Sequence, residues 1–132
     1  MPPPDRQQQP PPPLHELERE IMEQVWERGP APVRAILDGV NAAAERERAY
    51  TTVLTVLGRL EEKGFVTRER VGRGDRYRAA VERDAWLRGR ASGDVDRLLD
   101  AYGDVALAHF AHQVEQLDDE RRAQLRRLLE AD

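Results

Sequence analysis

Between residues 14 and 79 the apolar positions of this chain change their spacing once, from a helical to a strand period. Leu14, Leu17, Ile21 and Val25, with Met22 and Trp26 beside them, fall on one helical face and predict a helix reaching about Arg28. Gly29, Pro30 and Pro32 break it, and Val33, Ile36, Leu37 and Val40 mark a short second helix, entered through proline and ending near Asn41. After a polar turn at residues 42–48, the segment 49–63 carries Val53, Val56, Leu57 and Leu60 on one face until Gly64 stops it. The period then shortens. Residues 65–71 and 76–79 are runs with β-branched or aromatic members, separated by Gly72, Arg73, Gly74 and Asp75, which predicts a hairpin with a basic tip.

Three short helices followed at once by a hairpin is the layout of a winged helix-turn-helix, expected here over residues 14–81 of a mainly α chain. Residues 1–13 hold seven of the nine prolines and three consecutive glutamines, a composition that buries no core, and are expected to be a disordered tail. Extended proline segments also dock in aromatic grooves, but terminal proline runs are most often plain tails. Residues 82–132 return to a helical period. Val95, Leu98, Leu99 and Tyr102 form one stripe, Leu107, Phe110, Ala111 and Val114 another, and Leu125, Leu128 and Leu129 a third behind an Asp118 N-cap. Stripes on so small an appendage most often meet a second copy, so a helical dimerisation region is expected; folding back onto the same chain is the alternative.

At 132 residues the chain accommodates one ordinary domain and an appendage. The N-terminus has no signal-peptide pattern and no apolar run is long enough to span a bilayer, so a cytoplasmic location without membrane insertion is expected. The absence of cysteine removes disulfides, thiolate metal sites and cysteine nucleophiles. The net charge of −4 conceals a division: residues 46–81 carry nine basic and five acidic side chains, whereas the flanking segments are each acidic. A cationic stretch between acidic ones suits a binder that turns one surface to phosphates.

The face of the third helix opposite its apolar stripe presents Thr51, Thr55, Gly58 and Glu62, flanked by Thr52, Leu54 and Arg59. Hydroxyls and small side chains permit close approach to base edges, and a threonine methyl can touch thymine. Tyr50 and Thr51 are placed for phosphate contacts at the helix start, Arg48 precedes it, and Arg73 and Arg76 lead the wing cations. The plain alternative pairs these arginines with Glu61, Glu62, Glu69 and Asp75. Glu62 confines base contacts to the first two turns. No catalytic set is present: Ser92 is the only serine, and His109 and His112, with Glu115 or Asp104 nearby, form at most a poor metal set. No metal or cofactor is expected.

The run Ala49-Tyr50-Thr51-Thr52-Val53-Leu54-Thr55-Val56-Leu57-Gly58-Arg59-Leu60-Glu61-Glu62-Lys63-Gly64 strongly resembles the recognition helix of the penicillinase-repressor (BlaI/MecI/CopY) family. Leu17 to Met22 with Val25 and Trp26 resemble its first helix, and Gly72 to Tyr77 its wing. The resemblance covers about residues 14–129. It implies a homodimeric repressor on a palindromic operator in promoters of resistance or stress-response genes. In some relatives a membrane sensor protease cleaves the C-terminal region; the matching position is His109-Phe110, with histidine where the best-studied branch has asparagine. The cysteine cluster of copper-responsive relatives is absent. Two other readings share the pattern: a winged-helix regulator released by a small ligand, and a winged helix that contacts only proteins.

Overall fold

The computed structural model describes residues 11–131, so residues 1–10 of the expected tail lie outside the described residues. The chain forms two compact units, divided after Arg90. The first contains α1 (Glu16–Arg28), β1 (Ala31–Pro32), α2 (Val33–Ala43), α3 (Tyr50–Glu62), β2 (Val66–Val71), β3 (Gly74–Ala79) and the beginning of α4 (Arg83–Tyr102). The second contains the rest of α4, α5 (Asp104–Glu115) and α6 (Asp119–Glu130).

The helix ends follow local chemistry. The His15 amide donates to Glu18 Oε1 at 3.0 Å, satisfying a donor at the start of α1. Gly29, at φ 74°, ends that helix. At the end of α3, Gly64 adopts φ 86° and the Phe65 amide reaches back to the Leu60 carbonyl at 2.9 Å, which turns the chain sharply into β2.

The sheet is antiparallel in the order β1-β3-β2. β1 is an addition to the expected hairpin: Ala31 pairs with Tyr77 and Pro32 with Arg76. A proline fits there because β1 is an edge strand. The hairpin is tighter than the sequence suggests, since Gly74 and Asp75 pair with Val71 and Arg70 and leave Gly72 and Arg73 as the turn. Gly72 has φ 64°, a conformation open to glycine.

The α1, α2 and α3 stripes converge with the first residues of the wing. Ile21, Met22, Val25, Ile36, Val40, Val53, Leu57, Leu60, Phe65 and Val66 are almost fully buried in one cluster, and Tyr77 and Trp86 close it. Trp86 lies beyond residue 81, the expected limit of the domain, and Leu87 packs beside it, so the start of α4 belongs to the winged-helix core. Glu18, 4% exposed, bonds Lys63 Nζ at 2.7 Å and ties the start of α1 to the end of α3.

The C-terminal unit contrasts with this. Gly103, at φ 54°, separates α4 from α5, and the Asp118 carboxylate accepts the Arg121 amide at 2.8 Å as the expected cap of α6. Neither α5 nor α6 buries a residue. Val95, Leu98, Leu99, Tyr102, Leu107, Phe110, Val114 and Leu128 are all exposed, and Leu125 is half-buried. Among the described residues no helix is long and apolar enough to cross a membrane.

Candidate nucleic-acid interface

Helix α3 divides cleanly along its length. Val53, Val56, Leu57 and Leu60 anchor it in the core, which leaves Thr51, Thr52, Leu54, Thr55, Gly58 and Arg59 exposed. Thr51, Thr52, Thr55 and Arg59 line a shallow concavity with Leu17 of α1 and the edge of Val56. The Thr55 hydroxyl donates to the Thr51 carbonyl at 2.9 Å, which leaves its lone pairs free to accept on an exposed side chain. A hydroxyl so engaged can accept from a base-edge amine. Leu54 was placed only on the flank by its position in the sequence, yet it is 41% exposed on this helix and adds an apolar surface.

Among the described residues no side chain caps the α3 N-terminus, where Ala49 occupies the N-cap. The first amides of the helix are therefore free of side-chain acceptors and carry the positive end of the helix dipole. Tyr50 stands there 42% exposed, with the Arg34 guanidinium 5.3 Å from its ring centroid. Arg34, at the second position of α2, is a cation that the sequence reading missed. Its place one step into a proline-entered helix was the available signal.

Arg48, just before α3, is held through its backbone. Asn41 clasps its backbone, accepting from the amide at 2.7 Å and donating to the carbonyl at 3.1 Å. Its guanidinium turns back toward Glu20 of α1, 3.8 Å away, and Arg48 Nε and Glu20 Oε2 are buried without a hydrogen-bond partner. These contacts tie the turn before α3 to Asn41 of α2 and Glu20 of α1.

On the wing, Arg73 is exposed at the turn and Arg76 on β3, opposite Glu69. Among the described residues Arg59, Arg70, Arg73 and Arg76 make no ion pair. Arg68 is engaged by Glu61 at 3.6 Å and Asp75 at 3.9 Å, and Arg78 Nε donates to Thr67 Oγ1 at 3.4 Å. The local pairing alternative thus describes Arg68, while the tip and outer cations remain available to an anionic partner.

The other sequence candidates lie in the C-terminal unit. His109 and His112 face Gln113 and Gln116 one turn on, at 3.4 and 3.1 Å. Among the described residues no group of three or more acidic or histidine side chains is arranged to hold a metal. His109-Phe110 falls in the middle of α5, where the backbone is helical.

The family model described as penicillinase repressor matches residues 14–131. The "Transcriptional regulator BlaI" of Mycobacterium tuberculosis, from two strains, is 38% identical over 117 residues, covering 83% of this chain and 81% of the relative. Among solved structures, a MarR family protein from Bacillus stearothermophilus is 19% identical with a TM-score of 0.46, covering 90% of this chain and 72% of the other. MepR, described as a transcription regulator of the Staphylococcus aureus multidrug efflux pump MepA, is 17% identical with a TM-score of 0.45, covering 88% and 75%. A family match over nearly the whole described chain, joined to that identity, places this chain in the penicillinase-repressor family, a family of transcriptional regulators and not of enzymes.

Proposed function

We propose that the chain is a sequence-specific DNA-binding repressor that acts as a homodimer on a palindromic operator, in promoters of resistance or stress-response genes. The observation that carries this reading is the exposed face of α3, where Thr51, Thr52, Thr55 and Arg59 stand over a buried apolar stripe next to a wing whose Arg73 and Arg76 have no ion-pair partner. In the proposed complex the first two turns of α3 enter the major groove and the wing tip contacts the flanking backbone or minor groove. Tyr50, with Arg34 over its ring, contacts a phosphate at the start of α3, while Arg48 holds the turn in place.

The proposed dimer surface consists of Val95, Leu98, Leu99 and Tyr102 on α4, Leu107, Phe110 and Val114 on α5, and Leu125 and Leu128 on α6. These side chains support the reading because the described residues of their own unit leave most of them uncovered. Two tethered readers gain from effective concentration on two half-sites, so the dimer carries much of the affinity. Cleavage at His109-Phe110 by a membrane sensor protease would divide that surface, after local unwinding of α5. Its test is incubation of the repressor with membranes holding the sensor: a single new fragment boundary at residue 109 or 110 supports it, and an intact chain in induced membranes contradicts it.

The function itself is tested by titrating salt against duplex binding. Six or more phosphate contacts imply a loss on the order of 10³-fold between 50 and 200 mM salt. Affinity indifferent to salt and to sequence would remove the reading in favour of a protein-contact module.

A further inference from the structure

The last prolines of the N-terminal segment do not hang free. The Trp86 indole N–H donates to the Pro12 carbonyl at 3.0 Å, and Arg90 donates to the Pro11 carbonyl at 3.2 Å. Both donors stand on the first turns of α4, one helical turn apart, and meet two consecutive proline carbonyls. Between them lies Gly89. A Cβ built there would come within 2.6 Å of Pro11 Cδ and 2.8 Å of its Cγ, so the proline ring occupies the space that glycine leaves.

The indole that makes the first of these bonds is itself held in place. Trp86 is 5% exposed, its ring centroid lies 5.9 Å from that of Trp26, and the Arg19 guanidinium sits 4.7 Å above it. Arg19 and Arg83 both bond Glu23, which fixes the cation over the ring. Trp26 is fixed in turn by donating its indole N–H to the Val81 carbonyl at 2.8 Å.

Proline has no backbone N–H, and its carbonyl is its one strong hydrogen-bonding group. A surface that selects proline must therefore bring donors to carbonyls and flat apolar surface to rings, which is how aromatic grooves read extended proline segments. Trp86 and Arg90 supply the donors, and the Gly89 gap receives the Pro11 ring. We propose that this surface is a proline-recognition groove whose ligand is the chain's own segment at residues 11–13, bound in cis as a strap that fastens the start of α4 to α1. The proline-rich segment is then a ligand with a site, and a free peptide of the same sequence competes for that site.

The chain has two tryptophans, which gives the test its internal control. Indole N–H hydrogen exchange is followed by NMR in the intact protein, in a form lacking residues 1–13, and in Gly89→Ala. The strap predicts that exchange of the Trp86 indole speeds up roughly fivefold in both altered forms, the scale of one ordinary hydrogen bond. The Trp26 indole, bonded to Val81, keeps its protection and reports that the domain is folded. Gly89→Ala is informative because alanine favours helix more than glycine does, so loss of Trp86 protection there reflects a displaced proline and not a weakened α4. A synthetic peptide of residues 1–13, added to the shortened protein, restores slow exchange saturably, whereas the same peptide with Pro11 and Pro12 changed to alanine does not. Unchanged Trp86 exchange on removal of the segment, or equal rescue by both peptides, overturns the proposal.

Discussion

The winged-helix unit and the C-terminal helices are built from the same kind of amphipathic segment, yet they treat it oppositely. In the first, the stripes of α1, α2 and α3 meet one another, and the buried hydrophobic residues among those described all lie between Ile21 and Trp86. In the second, α5 and α6 have stripes of comparable spacing and bury nothing. Spacing therefore defines a face without defining its partner. A closed core holds stability within one chain, and on the proposed reading an open stripe holds affinity between chains.

Removing residues 91–132 breaks the comparison most severely. The shortened protein is expected to keep a cooperative melt, because its core stays whole, while affinity for a duplex with two half-sites falls roughly 10²- to 10⁴-fold; anisotropy titration measures the loss. A paired substitution sharpens the contrast. Phe65→Ala, at a side chain 1% exposed, should cost about 3–5 kcal/mol in denaturant unfolding. Phe110→Ala, at one 40% exposed, should leave unfolding at high dilution nearly unchanged and weaken self-association in sedimentation.

Within the reading surface the contrast is between groups that specify and groups that only attract. Thr55→Ala should lose about 1–3 kcal/mol of discrimination at a single base pair and relax preference there, as competition among duplexes would reveal.

The anchored side of the molecule has its own signature. Burial raises the Glu18 pKa, but the Lys63 ammonium and the His15 amide outweigh it and hold the carboxyl below its ordinary 4.5. Glu23 behaves alike: burial raises it, and bonds from Arg83 and Arg19 bring it down. A folded-state pKa below the unfolded one stabilises the ionised form, so this contribution is complete above the unfolded value and disappears as pH falls through the folded one. Thermal melting should therefore weaken with acid below about pH 5. Glu18→Gln should lower stability by about 1–2 kcal/mol at neutral pH, discounted because Lys63 is one-third exposed, and should flatten that acid slope.

The smallest effect belongs to the wing. Arg73→Ala should weaken all duplexes alike and reduce the salt slope by roughly 0.9, the share of one phosphate contact.

Much of this was legible in the order of residues. The three helices, the hairpin and the Asp118 cap follow from apolar period and end chemistry, which are local. What escaped depends on partners distant in sequence. β1 is two residues long and has no period to read; it exists because Tyr77 and Arg76 lie beside Ala31 and Pro32. Trp86 reads as an isolated aromatic in a polar helix, and only the fold brings Trp26 and the Pro12 carbonyl to it. The clasp of Asn41 on Arg48 and the nearby carboxylate of Glu20 are likewise invisible without the turn. The exposed Thr51, Thr52, Thr55 and Arg59 could be read because a buried stripe fixes the opposite face.

The central claim is that the exposed face of α3, presented twice, reads a two-fold DNA sequence. The purified full-length protein, allowed to select duplexes from a random library at moderate salt, tests it most directly. An enriched inverted repeat with fixed spacing between half-sites is the predicted result. A pool that stays random while the protein remains folded and self-associated would contradict the account.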